Sequence, residues 1–174
     1  MLKIINLEEF SSTQDYAKNM ITESSIGEDL AIMAKIQTAG RGRLNQRIWQ
    51  SVSGNFHCSF VINIKKLNFF ERDVSYLNSI SVEAVYDVLS KLTNSQDEFH
   101  MKLPNDIYVN SKKISGVLVE VLYPFAIIGI GVNLIESPLD ISTDIKKEFN
   151  LLVKKDELVE NLYMSLVRRI SDAV

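Results

Sequence analysis

The chain has 174 residues, 46% of them hydrophobic and 24% charged, with a net charge of −3 at neutral pH. This composition fits one globular domain able to bury a core, and it gives no support for a basic nucleic-acid-binding or membrane-surface role. A single cysteine excludes an internal disulfide, no apolar run approaches the ~20 residues of a membrane span, and the N-terminus lacks a signal-peptide pattern, so a reducing cytoplasm is expected.

In chain order, Leu2 to Leu7 reads as a short strand. Ser11, Ser12 and Thr13 offer N-cap residues for a helix to about Glu23, in which Tyr16, Ala17, Met20 and Ile21 recur at helical spacing. Asp29 to Gln37 reads as a strand that ends in a polar loop, and periodicity stops from Thr38 to Ser53. Phe56 to Ile64 looks like a core strand, with Cys58 as a small buried hydrophobe. Glu71 to Leu92 is the clearest helix, its apolar face marked by Val74, Leu77, Ile80, Ser81, Ala84, Val85, Val88 and Leu92. Ile107 to Val109 and Ile114 to Leu122 form a hairpin-like pair around the turn residues Asn110 and Ser111. The second of these is almost continuously apolar, which predicts burial on both faces. Phe125 to Leu134 gives another buried strand, and the tail from Ile141 to Val174 reads as helical, with Leu151, Leu158, Leu162, Leu166 and Ile170 at about helical spacing. The order β-α-β-loop-β-α-β-β-β-α predicts an α+β domain, with a mixed, largely antiparallel sheet and helices packed on one of its faces.

Three stretches carry chemistry. Gln37-Thr38-Ala39-Gly40-Arg41-Gly42-Arg43 ends a strand in alternating glycine and arginine, which exposes backbone N–H groups beside guanidinium groups suited to phosphate or carboxylate. It lacks the spacing and Lys-Ser/Thr ending of a P-loop, and a basic surface loop would read the same way. Glycine and the missing apolar anchors leave this loop little local stability. Lys112 and Lys113 stand at the entrance of a strand that contains Gly116, where a close-approaching anion makes sense of both residue types. Gly129 and Gly131 alternate in a strand that ends at Asn133, either for close packing or as a floor for a flat ligand. Trp49 is a cover for such a ligand or an anchor for its loop. Ser12 and Thr13 are N-caps or contacts to a polar head group. His57 and His100 have no paired carboxylate or neighbouring histidine, so neither a metal cage nor a serine–histidine triad is expected.

Ser12-Thr13, Gly40-Arg41-Gly42-Arg43 with Trp49, Lys102-x-Pro104-Asn105-Asp106, Lys113-x-x-Gly116-x-Leu118-x-Glu120 and Gly129-x-Gly131-x-Asn133 occur in this order. From about residue 6 to 135 this set resembles the biotin–protein ligases. The resemblance implies their catalytic fold, related to class II aminoacyl-tRNA synthetases. It also implies a two-step reaction, in which biotin and MgATP give biotinyl-5′-AMP and the adenylate then acylates a lysine of a biotin carboxyl carrier domain. ATP, biotin and Mg2+ are thereby implied, with no protein metal cage. Lys113 matches the catalytic lysine, with Lys102 as runner-up. Arg41 and Arg43 match the biotin-binding loop that closes over the adenylate. Ser12, Thr13, Gln14 and Gln37 match the biotin ureido side. Gly40 and Gly42 match the same biotin-binding loop, and the resemblance implies that Gly116, Leu118, Gly129 and Gly131 pave the pocket. Arg43, Trp49, Lys102, Asn105, Lys113 and Asn133 match the ATP side.

The pattern departs from the family in places. Gln14 stands where Asn is usual, Leu103 stands where Trp is usual, and residues 44–48 make the loop one residue longer. Only 41 residues follow Asn133 and they read as helices. A single catalytic domain over 1–174 is expected, without the small C-terminal β-barrel or an N-terminal winged-helix domain, and transcriptional repression is not expected. The alternatives are a lipoate or octanoate ligase or transferase of the same fold, and a non-catalytic biotin- or nucleotide-binding module. A monomer or homodimer without nucleic acid or membrane is expected.

Overall fold

The computed structural model describes residues 2–23, 26–42, 48–69 and 74–174. The elements are β1 (Leu2–Phe10), α1 (Thr13–Glu23), β2 (Asp29–Gln37), β3 (Phe56–Asn63), α2 (Val74–Thr93), β4 (Phe99–Lys102), β5 (Asp106–Val109), β6 (Lys112–Leu122), β7 (Phe125–Val132), α3 (Ile145–Phe149) and α4 (Lys155–Asp172). The seven strands form one sheet in the order β1-β2-β3-β7-β6-β5-β4. Only β1 and β2 run parallel, as their helical connection α1 requires, and every other pair is antiparallel. The α+β class and the mixed, largely antiparallel sheet agree with the sequence reading. The part of the second helix expected over 71–73 lies outside the described residues.

The helices, however, do not share one face. Alternation along β2 sends Leu30 and Ile32 to one side, where Ala17, Tyr16, Met20 and Ile21 of α1 cover them together with Val61 and Ile127. Ala31 and Met33 point to the other side, with Phe56, Phe60, Ile62, Ile128 and Ile130. There α2 and α4 close the main core through Leu77, Ile80, Val85, Leu158, Leu162 and Leu166. The expectation failed because a continuously apolar strand such as β3 hides that both of its faces are covered. The reverse error occurs in β6, whose residues alternate between buried and half-buried rather than being buried on both faces. Its second face, through Gly116 and Leu118, lines a cleft.

Local chemistry sets the turns and ends. Asn110 and Ser111 adopt φ of 48° and 63°, the left-handed pair that a two-residue hairpin loop between β5 and β6 needs. Asp144 caps α3 by accepting the Lys147 N–H at 2.9 Å. Strand β4 was not legible, because it is a four-residue edge strand with only Phe99 buried. Among the described residues no helix is long and apolar enough to cross a membrane.

Asn55, fully buried before β3, fixes the exit of β7. Its Oδ1 accepts the N–H groups of Leu134 at 2.9 Å and Ile135 at 3.0 Å, while its Nδ2 donates to the Glu136 carbonyl at 2.7 Å. Removing it strands buried donors. Asn55→Ala is therefore expected to lower unfolding stability by about 2–4 kcal/mol, read from urea denaturation at constant m-value.

Candidate active site

The cleft lies on the α1 face of the sheet and has a volume of about 740 Å³, within the range of small-molecule sites. Its floor consists of cross-strand rows. His57, Gly131 and Gly116 form one, and Ser59, Gly129 and Leu118 form the next. The glycines matter because side chains lie directly on them. A Cβ added to Gly131 would fall 2.4 Å from the Trp49 indole, and one on Gly129 would fall 2.7 Å from Gln14 Oε1. Trp49 thus anchors its loop to the floor, and Gly40 accepts the Trp49 N–H at 2.9 Å to close the loop's base. A Cβ on Gly40 would meet the Trp49 carbonyl oxygen at 2.5 Å.

Lys113 reaches the cleft through a fault in the sheet. Alternation back from Val119 and Val117, which face the main core, would put residues 115 and 113 on that side too. The pairing of β5 with β6 shifts between Ile107 and Tyr108, so that Tyr108 opposes Lys113 and Ile114 becomes the residue buried in the core. This bulge turns Lys113 to the cleft face. There its Nζ lies 2.6 Å from Asp106 Oδ1 and 5.5 Å from the centroid of the Trp49 ring. Asn105 Nδ2 donates to the same carboxylate oxygen at 2.8 Å, and the Asn105 carbonyl accepts the Val117 N–H. Lys102 lines the cleft but is exposed and sits over the Tyr108 ring at 5.2 Å, so Lys113 is the better-held lysine.

At the α1 end, Arg41 pairs with Asp15 at 2.7 Å and with Glu120 at 3.2 Å, and Lys18 pairs with Glu120 at 2.7 Å. Burial raises the Glu120 carboxyl, but the hydrogen bond from Lys18, the nearby Gln14 amide and the charge of Arg41 outweigh it and hold the pKa below the usual value. Burial likewise lowers Arg41, and the Glu120 and Asp15 carboxylates more than reverse this. Gly42 lines the cleft. Arg43, assigned from the sequence to the loop, lies outside the described residues, as do positions 44–47.

The remaining polar end gathers Ser12, Thr13, Gln14, Gln37 and Ser59. Gln37 Oε1 accepts the Thr13 N–H at 2.8 Å, and Gln37 N–H donates to Ser51 Oγ at 2.9 Å. Ser12 Oγ, buried and without a partner, does not cap α1. Asn133 is held by its Nδ2 donating to the Thr143 carbonyl at 3.0 Å, which leaves its buried Oδ1 unpaired in the cleft wall. Every described residue of the motif set except Gly40, Pro104 and Glu120 lines this one cleft; Gly40 supports it through Trp49, and Glu120 through its pairing with Arg41. Asp106 and Glu120 stand in the sequence motifs without an assigned role, and Ser59 stands in none of them. Only the sheet register brings Ser59 beside Gly129.

A mixed seven-stranded sheet with a glycine-floored cleft on one face and a lysine from a strand bulge is the class II synthetase-like fold of the biotin protein ligases. The Biotin/lipoate A/B protein ligase family profile matches residues 7–133, and the chain belongs to that family. Biotin protein ligase of Leishmania major, solved in complex with biotinyl-5-AMP, superposes with a TM-score of 0.84 at 30% identity, covering 98% of this chain and 75% of that one. The Aquifex aeolicus enzyme, solved with biotin and ATP, gives 0.76 at 32% identity, covering 98% and 69%. Biotin–protein ligase 2 of Arabidopsis thaliana is 33% identical over 128 residues, which is 71% of this chain and 38% of that protein. The chain therefore spans well under two thirds of that plant protein.

His57 supports the cleft from its floor, with Ser51 Oγ 3.3 Å from a ring nitrogen. Burial pushes its imidazole down to about 4, against a hydrogen bond to the Ala34 carbonyl and with help from the Lys155 charge. The unfolded chain takes up this proton first, so the neutral histidine's contribution is complete above about pH 6.5 and is lost as pH falls towards 4. Urea unfolding at pH 7 and 4.5 is expected to show a loss of roughly 2–3 kcal/mol from this group. His57→Gln should remove that part of the slope, and an unchanged slope in the variant would assign it elsewhere.

Proposed function

We propose that this chain is the catalytic domain, over residues 1–174, of an ATP-dependent ligase. It activates biotin as biotinyl-5′-AMP and transfers the biotinyl group to a lysine of a biotin carboxyl carrier domain. The observation that carries this reading is Lys113, turned by the bulge onto a glycine floor and oriented by Asp106. A carboxylate oxygen of biotin attacks the α-phosphorus of ATP, a C–O–P linkage forms, and the bond to pyrophosphate breaks. Both reactants are anionic, and Lys113 supplies the positive charge that holds them together and stabilises the charge developing on the α-phosphate. The amine of the carrier lysine then attacks the acyl carbon. AMP leaves with the electron pair of the C–O bond, an amide forms, and the amine proton is released.

The polar end built from Ser12, Thr13 and Gln37 suits a ureido ring and not the dithiolane or plain acyl tail of a lipoate or octanoate substrate. Trp49, Asn105, Lys102 and Asn133 suit the nucleotide side. Arg41 and Arg43 are assigned to the loop that shields the adenylate from water. Mg2+ fits as an escort of the nucleotide. Among the described residues no cluster of three His, Cys, Asp or Glu side chains offers a cage. An ion that keeps waters and phosphate oxygens needs at most the unpaired Asn133 Oδ1 or Asp106 from the protein, and bound there it would neutralise phosphate charge. The proposed setting is the cytoplasm, as a monomer or homodimer, with no nucleic-acid or membrane partner.

The test is biotin-dependent pyrophosphate release with MgATP. The parent should release pyrophosphate, and Lys113→Ala should lose it by a factor of about 100 or more. Asp106→Asn is expected to lower kcat by about tenfold with a smaller change in biotin KM, because it frees Lys113 without removing it. Biotin binding without release from the parent would leave a binding module and overturn the ligase.

A further inference from the structure

Ser59 belongs to none of the recurring motifs, yet it joins two of the residues at the polar end of the cleft and, through Thr13, a third. It is fully buried on β3 and stands in the row beside Gly129. Its hydroxyl donates to Gln14 Oε1 at 2.9 Å and lies 2.8 Å from Thr13 Oγ1.

The direction of these bonds follows from the two amides. Gln14 Nε2 donates to the carbonyls of Ile127 at 3.1 Å and Leu118 at 3.3 Å, which fixes the amide with Oε1 as an acceptor. Gln37 accepts the Thr13 backbone N–H, which fixes its Oε1 facing Thr13. Thr13 Oγ1 therefore sits between Ser59 Oγ and Gln37 Oε1, the latter at 3.1 Å. Two hydroxyl hydrogens serve three contacts. In every allocation the Thr13 hydrogen goes to Ser59 or to Gln37, so Thr13 offers the cleft only lone pairs. With Ser59 donating to Gln14, the short Oγ–Oγ contact takes the Thr13 hydrogen and the relay runs one way, from Thr13 through Ser59 to Gln14.

We propose that Ser59 is a positioning residue that, with Gln14, fixes the orientation of the Thr13 hydroxyl, which is acceptor-only towards the cleft, and so helps select a head group that brings an N–H donor. This rests on the biotin reading above and deepens it, because a ureido ring carries such donors and a dithiolane carries none. Gln14, one methylene longer than the asparagine usual in the family, is long enough to lie on Gly129 while keeping both backbone partners.

The experiment is isothermal titration of the full chain with biotin, desthiobiotin, lipoic acid and, separately, ATP. It compares the parent with Ser59→Ala and Ser59→Cys. Desthiobiotin keeps the ureido ring, and lipoic acid has no N–H. Ser59→Ala is expected to weaken biotin and desthiobiotin by about tenfold, the scale of one hydrogen bond, while ATP stays within about twofold and the preference for biotin over lipoic acid shrinks. Ser59→Cys keeps the shape with a slightly larger atom and a weaker donor and should fall between, and it carries the test if Ser59→Ala does not fold. Equal losses for biotin and ATP would reduce Ser59 to a packing role and overturn the proposal, as would no loss in either variant. A parent that binds lipoic acid as tightly as biotin overturns the acceptor-only assignment. A parent that binds neither removes the biotin reading itself.

Discussion

The constraint on which this structure depends is the absence of side chains at Gly116, Gly129 and Gly131. Three neighbouring positions on β6 and β7 leave bare backbone on one face, and two large side chains use that space directly. Trp49 lies on Gly131 and Gln14 lies on Gly129, at distances that no Cβ would tolerate. Trp49 thereby ties the arginine-bearing loop to the sheet, and Gln14 ties the first turn of α1 to it. A strand interior loses stability with each glycine, so two in β7 and one in β6 are costly unless the floor is used. Here it is used twice by the protein itself, and the space between the two covers is the cleft.

The charges obey a second constraint. Two cations of the motif set that line the cleft are already paired, the half-buried Lys113 with Asp106 and the exposed Arg41 with Asp15 and Glu120. Half-burying a cation such as Lys113 costs desolvation, and the carboxylate beside it offsets that cost. The pairing also restricts each long side chain to few rotamers before any anion arrives. On the proposed reaction this is preorganisation, because a lysine already held at the floor has less freedom to lose when it meets carboxylate and phosphate.

How much of this was legible in the sequence depends on whether a feature is local or set by register. β2, β3 and α2 are written in periodicity and were readable within a few residues, whereas the helical tail expected from Ile141 is broken over residues 150–154 into the short α3 and α4, which begins only at Lys155. The glycines, Lys113, Trp49 and Asn133 announced themselves by residue type in unusual places, and the order of motifs joined them into one family. What escaped needs three-dimensional pairing. That α1 takes the opposite face from α2 and α4 follows from β2 and β3 being covered on both sides, which a uniformly apolar run cannot report. Ser59 is an ordinary serine in an apolar strand until the register sets it beside Gly129. Alternation would have assigned Lys113 to the wrong face, and only a shifted pair in β5 and β6 corrects it.

That shift links the two constraints. If β6 kept perfect alternation, Lys113 would point into the apolar core with Val117 and Val119, an arrangement no isolated cation tolerates. The bulge resolves the conflict with Ile114, whose side chain fills the core position instead, so burial of one apolar residue enforces exposure of the neighbouring charge to the cleft. Asp106 is fixed by the same pairing, opposite Gly116, where the missing side chain leaves room for the lysine to lie beside it. The reactive geometry therefore requires no separate stabilisation. It is the face of β6 that the hydrophobic core does not use.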